Sequence, residues 1–523
     1  MSMQNPKPLY ELAKQSLLKS DTIASTTLHD LPNMIFHDLF IDAFIREHNE
    51  VLKGMVQAWP FPYLPLRTLM DLRMPYTQYA EITLQKRNLH SLQAILDGID
   101  RQLSQKVRHS RWKLQVLDWR HVHRDFWTVG PRAMNAAHMV DARNEDIYKP
   151  ALCVKKPALR IFANLCFVAL SPFSATEDNL QLCLLKWARK RKASVPVYCE
   201  KLLIKSTAIF KVLKLLQPVR LDSIHELEVF SDWGKEGMKA FVPQLKRMKN
   251  LHTFHFSNVS PEIFPSPLEK KWYSHFYAIH FGQLKNLRDL HLEEVFFLEG
   301  NLPKIIRSHT PLEVLSLTLS PLKECDLQHL SQCASTSQLK SLSLRWISMK
   351  SFSSETLPVL IDKLALTLEN LVLEHCDITD SQLLAILPAL SRCSQLKTFS
   401  CYGNHFSMYI LQLLLYVTAE LSHLNEGLYP APLESYESSI PTKFVHPELF
   451  AQVRAELTEV LNVIRPFLRV QICTYSCHLC KLCHFYRLEP SGNWEVTEEY
   501  RHPGVIRCYS CMHPQLDDGI FFM

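Results

Sequence analysis

Six of the fifteen cysteines fall between Cys473 and Cys511, and four of those six have metal-ligand spacing. Cys477 and Cys480 form one CxxC; Cys508 and Cys511 form a second after 27 intervening residues. Four thiolates offered by two such knuckles make a closed tetrahedral zinc site. The separation exceeds the usual range of roughly 15 to 20 residues, no glycine follows either knuckle, and Cys483, His484 and His513 are alternative ligands. Free thiols in a tail are the other reading, so structural zinc is the one cofactor to consider and none is required. No carboxylate or water-activating set accompanies the cysteines, which excludes an open catalytic metal site. Elsewhere, nothing supplies a turn-borne nucleophile, a glycine-rich loop or paired acids. With only 12 glycines, bare backbone for cradling phosphate is scarce. The chain is not expected to be an enzyme.

The elements that must carry any other function are repeats. A pattern of apolar-x-x-apolar-x-apolar recurs at Ile224-Leu227-Val229, Leu251-Phe254-Phe256, Leu287-Leu290-Leu292, Leu312-Leu315-Leu317, Leu339-Leu342-Leu344, Leu368-Leu371-Leu373 and Leu396-Phe399-Cys401. Successive starts lie 27, 36, 25, 27, 29 and 28 residues apart, close to the long leucine-rich repeat of up to about 29. The 36-residue gap needs an insertion, which residues 261–274 can supply. The last two apolar positions are two apart and share one face of a strand. A helical pattern follows, as in Leu383, Leu384, Leu387 and Leu390, with Asp380 placed to cap it. One such unit cannot bury its own apolar face, whereas a stack makes a continuous core. Asn404 sits where a side chain bonds the backbone of the turn. A weaker copy at Leu114-Leu117-Trp119, and a strand near Val197–Ile204, start the array near residue 110.

The fold class is therefore α/β: a leucine-rich-repeat solenoid (horseshoe) with a helical amino-terminal cap and a Cys-rich carboxyl-terminal tail. The cap covers residues 1–105, the solenoid 106–435 with its clearest repeats at 221–410, and the tail 436–523, where the helix around Glu448–Ile464 would cover the last repeat. Side chains between the leucines face outward on the inner, concave sheet and are candidates to touch a protein partner. They are His291, Glu293, Ser316, Thr318, Ser343, Arg345, Val372, Glu374, Ser400 and Tyr402.

Charge is uneven. Residues 101–220 hold 23 basic against 8 acidic residues, with net acidity on both flanks. That favours an acidic partner or is a solvated surface; without a recognised module, direct nucleic-acid contact is not expected. Lys186–Lys192 (KWARKRK) reads as a nuclear-import signal, an acidic-partner contact or a solvated helix face. Leu411–Leu415 contains LxxLL, but its leucines are needed for a repeat helix. The start lacks a signal-peptide core and no apolar run approaches the roughly 20 residues of a membrane span. The chain is expected in the cytoplasm and nucleus, with reduced thiols and a silent sequon at Asn258.

Several long stretches, in order, carry a resemblance: LKGMVQAWPFPYLPL (Leu52–Leu66), RWKLQVLDWR with DFWTV (Arg111–Val129), LDSIHELEV (Leu221–Val229), ITDSQLLAILPAL with CSQLKTFSCYGN (Ile378–Asn404) and LYPAPLESYE (Leu428–Glu437). With these the chain resembles the PRAME family (preferentially expressed antigen in melanoma and its paralogues). The resemblance implies a leucine-rich-repeat horseshoe and a substrate receptor of a cullin–RING ubiquitin ligase, recruited through elongin. It also implies repression of transcription in germ or embryonic cells and regulation of differentiation and apoptosis. The family's adaptor contact is assigned to the amino-terminal helices, here Thr27–Phe44, where Leu28, Leu31, Ile35 and Leu39 form the apolar stripe of a helix-in-groove contact. Thr27 and Leu28 fit the elongin-binding box; Pro32 stands where its cysteine would fall.

Overall fold

The computed structural model describes residues 9–19, 28, 30–73, 78–105, 110–132, 159–168, 179–191, 194–230, 233–259, 266–306, 312–437, 445–464, 469–474, 483–489 and 492–500. The chain forms two compact units, residues 1–228 with 235–250, and residues 229–234 with 251–523. The expected boundaries at 105 and 435 fall inside them.

The first unit begins with helices α1 (Leu9–Lys19), α2 (Asn33–Ile45) and α3 (Asn49–Gln57), then strand β1 (Tyr63–Pro65), α4 (Leu66–Met70) and the long α5 (Gln78–Ser104). Strands β2 (Val116–Trp119), β3 (Arg160–Val168) and β4 (Val197–Lys205) follow, with helices α6 (Asp125–Thr128) and α7 (Asn179–Arg189) between them. After β4 come α8 (Ile209–Leu215), β5 (Val219–Arg220), β6 (Glu226–Phe230) and α9 (Lys235–Leu245). The strands β1 to β4 run parallel in chain order, with Leu64 opposite Leu117 and Leu117 opposite Ile161. Pairing therefore starts at Tyr63, inside the stretch expected to form the helical cap. The sequence WPFPYLP explains why: Trp59 lies fully buried among Phe36, Phe40, Phe61, Phe126 and Trp127, with ring centroids 4.8 to 6.3 Å away. The indole donors of Trp59 and Trp127 reach the carbonyls of Tyr63 and Pro65, each at 2.9 Å. Buried rings thus also satisfy backbone acceptors that a helix would have used internally.

In the second unit, β7 (Thr253–Val259) is followed by β8 (Asp289–Val295), β9 (Val314–Thr318), β10 (Ser341–Arg345), β11 (Asn370–Glu374), β12 (Thr398–Ser400), β13 (Glu426–Pro430) and β14 (Arg469–Cys473), and each strand from β8 to β14 pairs in parallel with the strand before it. Helices α10 (Pro267–Phe281), α11 (Leu302–Ile305), α12 (Glu324–Gln332), α13 (Thr356–Leu364), α14 (Asp380–Leu390), α15 (Met408–Ala419) and α16 (Pro447–Ile464) fill the connections. This is a mixed α/β repeat with an extended sheet. Every residue of the seven apolar triplets is buried, the most accessible being Leu287 at 4%. The 36-residue gap contains α10, whose Tyr273, Tyr277 and Phe281 pack with Phe256, Phe296 and Phe297.

The repeats of β8 to β12 end their strands in a similar way. A residue at or just past the strand end takes a left-handed conformation: Glu294 within the end of β8 (φ 53°), Leu319 (φ 50°), Trp346 (φ 56°), His375 (φ 51°) and, after Tyr402, Gly403 (φ 77°). The amides of Leu319, Trp346 and His375 then donate to Arg345, Glu374 and Tyr402 of the next repeat at 2.9 to 3.1 Å. The turn extends the sheet by one bond, which offsets the cost of about 1–2 kcal/mol for a side-chain-bearing residue in that region. Asn404 closes the turn beyond: its carbonyl oxygen accepts from Cys376 and Ile378 amides, and its nitrogen donates to the Leu373 and Cys401 carbonyls.

One expected detail is corrected. The cap of α14 is Thr379, whose hydroxyl accepts from the Gln382 amide while the Gln382 side chain accepts from the Thr379 amide. A Thr with Gln three residues later forms the reciprocal capping box, so Asp380 becomes the first helical residue and instead accepts from the Ser407 amide. Past β14 the chain reverses: β15 (Cys483–Leu488) and β16 (Trp494–Tyr500) are antiparallel. Asn404→Ala strands four buried backbone groups and is expected to cost at least about 2 kcal/mol. Leu384→Ala, on the 52% exposed outer face of α14, should stay within about 0.5 kcal/mol. Urea unfolding midpoints check both; an unchanged midpoint for Asn404→Ala would remove the side chain from the list of elements holding the repeats.

Candidate functional site

Since Leu342 and Leu344 and their counterparts face the core, the alternate positions face the other way. Register carries them into two rows. One row runs His255, His291, Ser316, Ser343, Val372, Ser400; the other runs Ser257, Glu293, Thr318, Arg345, Glu374, and Tyr402 lies two residues beyond Ser400. The structure thus brings His291, Glu293, Ser316, Thr318, Ser343, Arg345, Glu374, Ser400 and Tyr402 onto one sheet face.

At the middle of that face sits a buried carboxylate. Glu374 accepts from Arg345 Nε and from Ser400 Oγ, both at 2.6 Å. A carboxylate withdrawn from water needs such charge-assisted partners, and the three side chains hold one another in place. Beside it runs an aromatic shelf. Trp346 stacks on His375 at 3.7 Å, and Tyr402 meets His375 edge-on at 5.3 Å and Phe485 at 5.5 Å. Gly403 permits this: a Cβ there would run into the His375 ring. At the other end, His255 and His291 stack at 3.8 Å. Burial, then His255, then Arg345 lowers the His291 pKa to about 4. Parity of the strands revealed which residues face outward, but not the Arg345–Glu374–Ser400 network. The available signal was opposite charge at the same repeat position. The same signal marks Arg288, Glu313, Lys340, Glu369 and Lys397, one residue before successive strands, where Lys340–Glu313 is 2.7 Å and Lys397–Glu369 is 2.5 Å.

Of the amino-terminal stripe, Leu28 and Leu39 are buried, whereas Leu31 and Ile35 are half-buried beside exposed Met34. Arg111, from the RWKLQ stretch, donates to the Leu28 and Leu31 carbonyls and to Asn33 Oδ1, and lies over the Phe36 ring. It pins the start of α2, a role that spacing did not reveal. Leu411, Leu414 and Leu415 of the LxxLL string are buried. In the basic cluster, Arg191 pairs with Asp100 and covers Trp187, while Lys186, Arg189 and Lys190 are exposed.

Cys477, Cys480, Cys508, Cys511 and His513 lie outside the described residues. Cys473 and Cys483 flank the first pair; both are buried with Phe485, and Tyr402 and Leu428 pack against them. Their thiols hydrogen-bond, and burial pushes that of Cys473 well above its usual value. Among the described residues, no group of three or more His, Cys, Asp or Glu is arranged to hold a metal ion, and no helix is long and apolar enough to cross a membrane.

The depressed His291 pKa sets a pH response. Its folded value lies below the unfolded value of about 6.5, so the unfolded chain binds the proton first and the contribution is complete above about 6.5. It is lost as pH falls from there towards 4. His291→Gln should flatten the stability curve in that window. Histidine ring NMR should find one imidazole still neutral at pH 5; a His291 titrating near 6.5 would refute the assignment.

A family profile described as the PRAME N-terminal domain matches residues 6–127, and one described as the PRAME C-terminal domain matches residues 159–493. PRAME family member 12 of Homo sapiens is 39% identical over 495 residues, spanning 94% of this chain and 97% of that protein. The human PRAME family members 20 and 8 are 38% and 37% identical over 493 and 492 residues, each covering 94% of this chain and 99% of the relative. The Arg111, Trp59 and Asn404 anchors all sit in the stretches that carry the resemblance, and the chain belongs to the PRAME family.

Proposed function

We propose that this chain is a protein-binding adaptor, and that it serves as the substrate receptor of a cullin–RING ubiquitin ligase. The observation that carries the reading is the sheet face of β8 to β12. It gathers nine outward polar and aromatic side chains, three of them, Arg345, Glu374 and Ser400, held together by hydrogen bonds. A rigid, mixed polar and aromatic face suits a polypeptide partner. We read its repeats as leucine-rich repeats of a horseshoe, the client lying along the inner sheet. Ligase attachment rests on α2 and its approach, where Leu31 and Ile35 are the half-buried members of the apolar stripe. Regulation of transcription, differentiation and apoptosis, in cytoplasm and nucleus, would follow from which client is removed.

A second reading, a nuclear repressor or scaffold without ligase attachment, is favoured by the exposed Lys186, Arg189 and Lys190. Neutralising these three should abolish nuclear signal if that reading holds; unchanged localisation weakens it.

Affinity purification of the full chain from cultured cells tests the ligase reading. Elongin and a cullin should co-purify and should fall at least tenfold with the Leu31→Asp, Ile35→Asp pair. Circular dichroism of that variant should match the wild type, whereas changes at Leu28 or Leu39 would disturb the core. A preparation lacking both elongin and cullin removes ligase attachment.

A further inference from the structure

Two groups on the polar sheet face have unused hydrogen-bonding capacity. The Ser343 side chain is only 6% exposed, yet its hydroxyl has no partner among the described residues. Leaving a buried hydroxyl without a partner is unfavourable, so this one has capacity to bond a group brought by a ligand. Two residues on, Arg345 engages Glu374 through Nε alone, and its side chain is 39% exposed. Its two terminal nitrogens make no other hydrogen bond among the described residues. Residues i and i+2 of a strand share a face about 7 Å apart. One carboxylate set between them can accept from the guanidinium fork and from the Ser343 hydroxyl at ordinary distances.

The surroundings narrow the ligand. Glu374, in the next strand, is neutralised by Arg345 and satisfied by Ser400. Glu293 stands two strands away in the same row and places a second carboxyl group on the face. That arrangement accepts a single acid group and disfavours a run of them. Trp346, His375 and Tyr402 form a half-buried apolar ledge alongside, which a free small carboxylate would leave unused. We propose that Ser343 and Arg345 form a carboxylate notch. It receives one Asp or Glu side chain of a partner polypeptide, with a neighbouring apolar residue of that segment lying on the Trp346–His375–Tyr402 ledge. The inference rests on the adaptor reading of this face and adds the chemistry of what it selects.

Selection of displayed random dodecapeptides on the purified full chain tests it, with affinities measured on the selected peptides by fluorescence anisotropy. The peptides should share one acidic residue next to an aromatic or aliphatic one. Arg345→Gln should weaken them at least tenfold, Ser343→Ala several-fold, and replacing the peptide acid by its amide should cost the wild type as much as Arg345→Gln does. Arg392→Ala, an exposed pair with Asp362, should change nothing. Should Arg345→Gln loosen the fold through Glu374, the peptide amide series in the wild type still decides. Peptides that lack a shared acid but lose binding with Tyr402→Ala would overturn the notch and leave the adaptor reading standing. Failure to enrich any peptide whose binding depends on Trp346, His375 or Tyr402 would sink both, and equal binding of free glutamate would replace the polypeptide by a small carboxylate.

Discussion

A parallel strand has two open edges and, in this chain, two buried leucines that no single repeat can cover. Everything between Thr253 and Cys473 follows from satisfying both needs at once. Each strand lends its edge to the next, and each pair of inward residues meets the pair before it: Leu290 on Leu315, Leu315 on Leu342, Leu342 on Leu371, Leu371 on Phe399. The contribution of one buried leucine is about 2 kcal/mol, small against the chain entropy lost in ordering a repeat. Only the summed stack, with every edge bond made, leaves a net balance. That is why the register is kept without a bulge from β8 to β14, and why the left-handed turns are tolerated at Leu319, Trp346 and His375.

The same register decides what the outward face can be. Rows form because equivalent positions are stacked, so two opposite charges at one position become neighbours automatically. Arg345 beside Glu374 and Lys340 beside Glu313 are two instances with different weight. The Lys340–Glu313 pair is solvent-exposed and contributes little to stability. The Arg345–Glu374 pair is partly withdrawn from water, where losing one partner strands the other. Position on the strand, not residue type, separates surface trim from a structural network.

This division explains what could be read in advance. The apolar triplets were legible because burial demands them at fixed spacing, and parity then marked the outward residues. The turns were not: only Gly403 announces a positive φ, while Leu319, Trp346 and His375 carry no such mark. Thr379 and Asp380 are both good caps, and the choice was made by Gln382. Tyr63–Pro65 was hidden because its prolines resemble a loop, yet Pro65 ends a three-residue strand at the sheet's border, where a missing N–H is tolerated. The half-buried state of Leu31 against the full burial of Leu28 depends on Arg111, 80 residues away, and no local pattern records it. The contact between Cys473 and Cys483 likewise depends on the reversal from β14 to β15.

In the second unit, β8 to β14 each pair in parallel with the strand synthesised just before. Such contacts are local in sequence, so loop closure costs little. A chain emerging from the ribosome can therefore add its repeats in order, one rung at a time, rather than waiting for a distant segment. Throughout that growth, however, the newest rung shows a bare edge. Stalling or truncation anywhere between Leu312 and Arg469 would leave a sticky, half-built ladder.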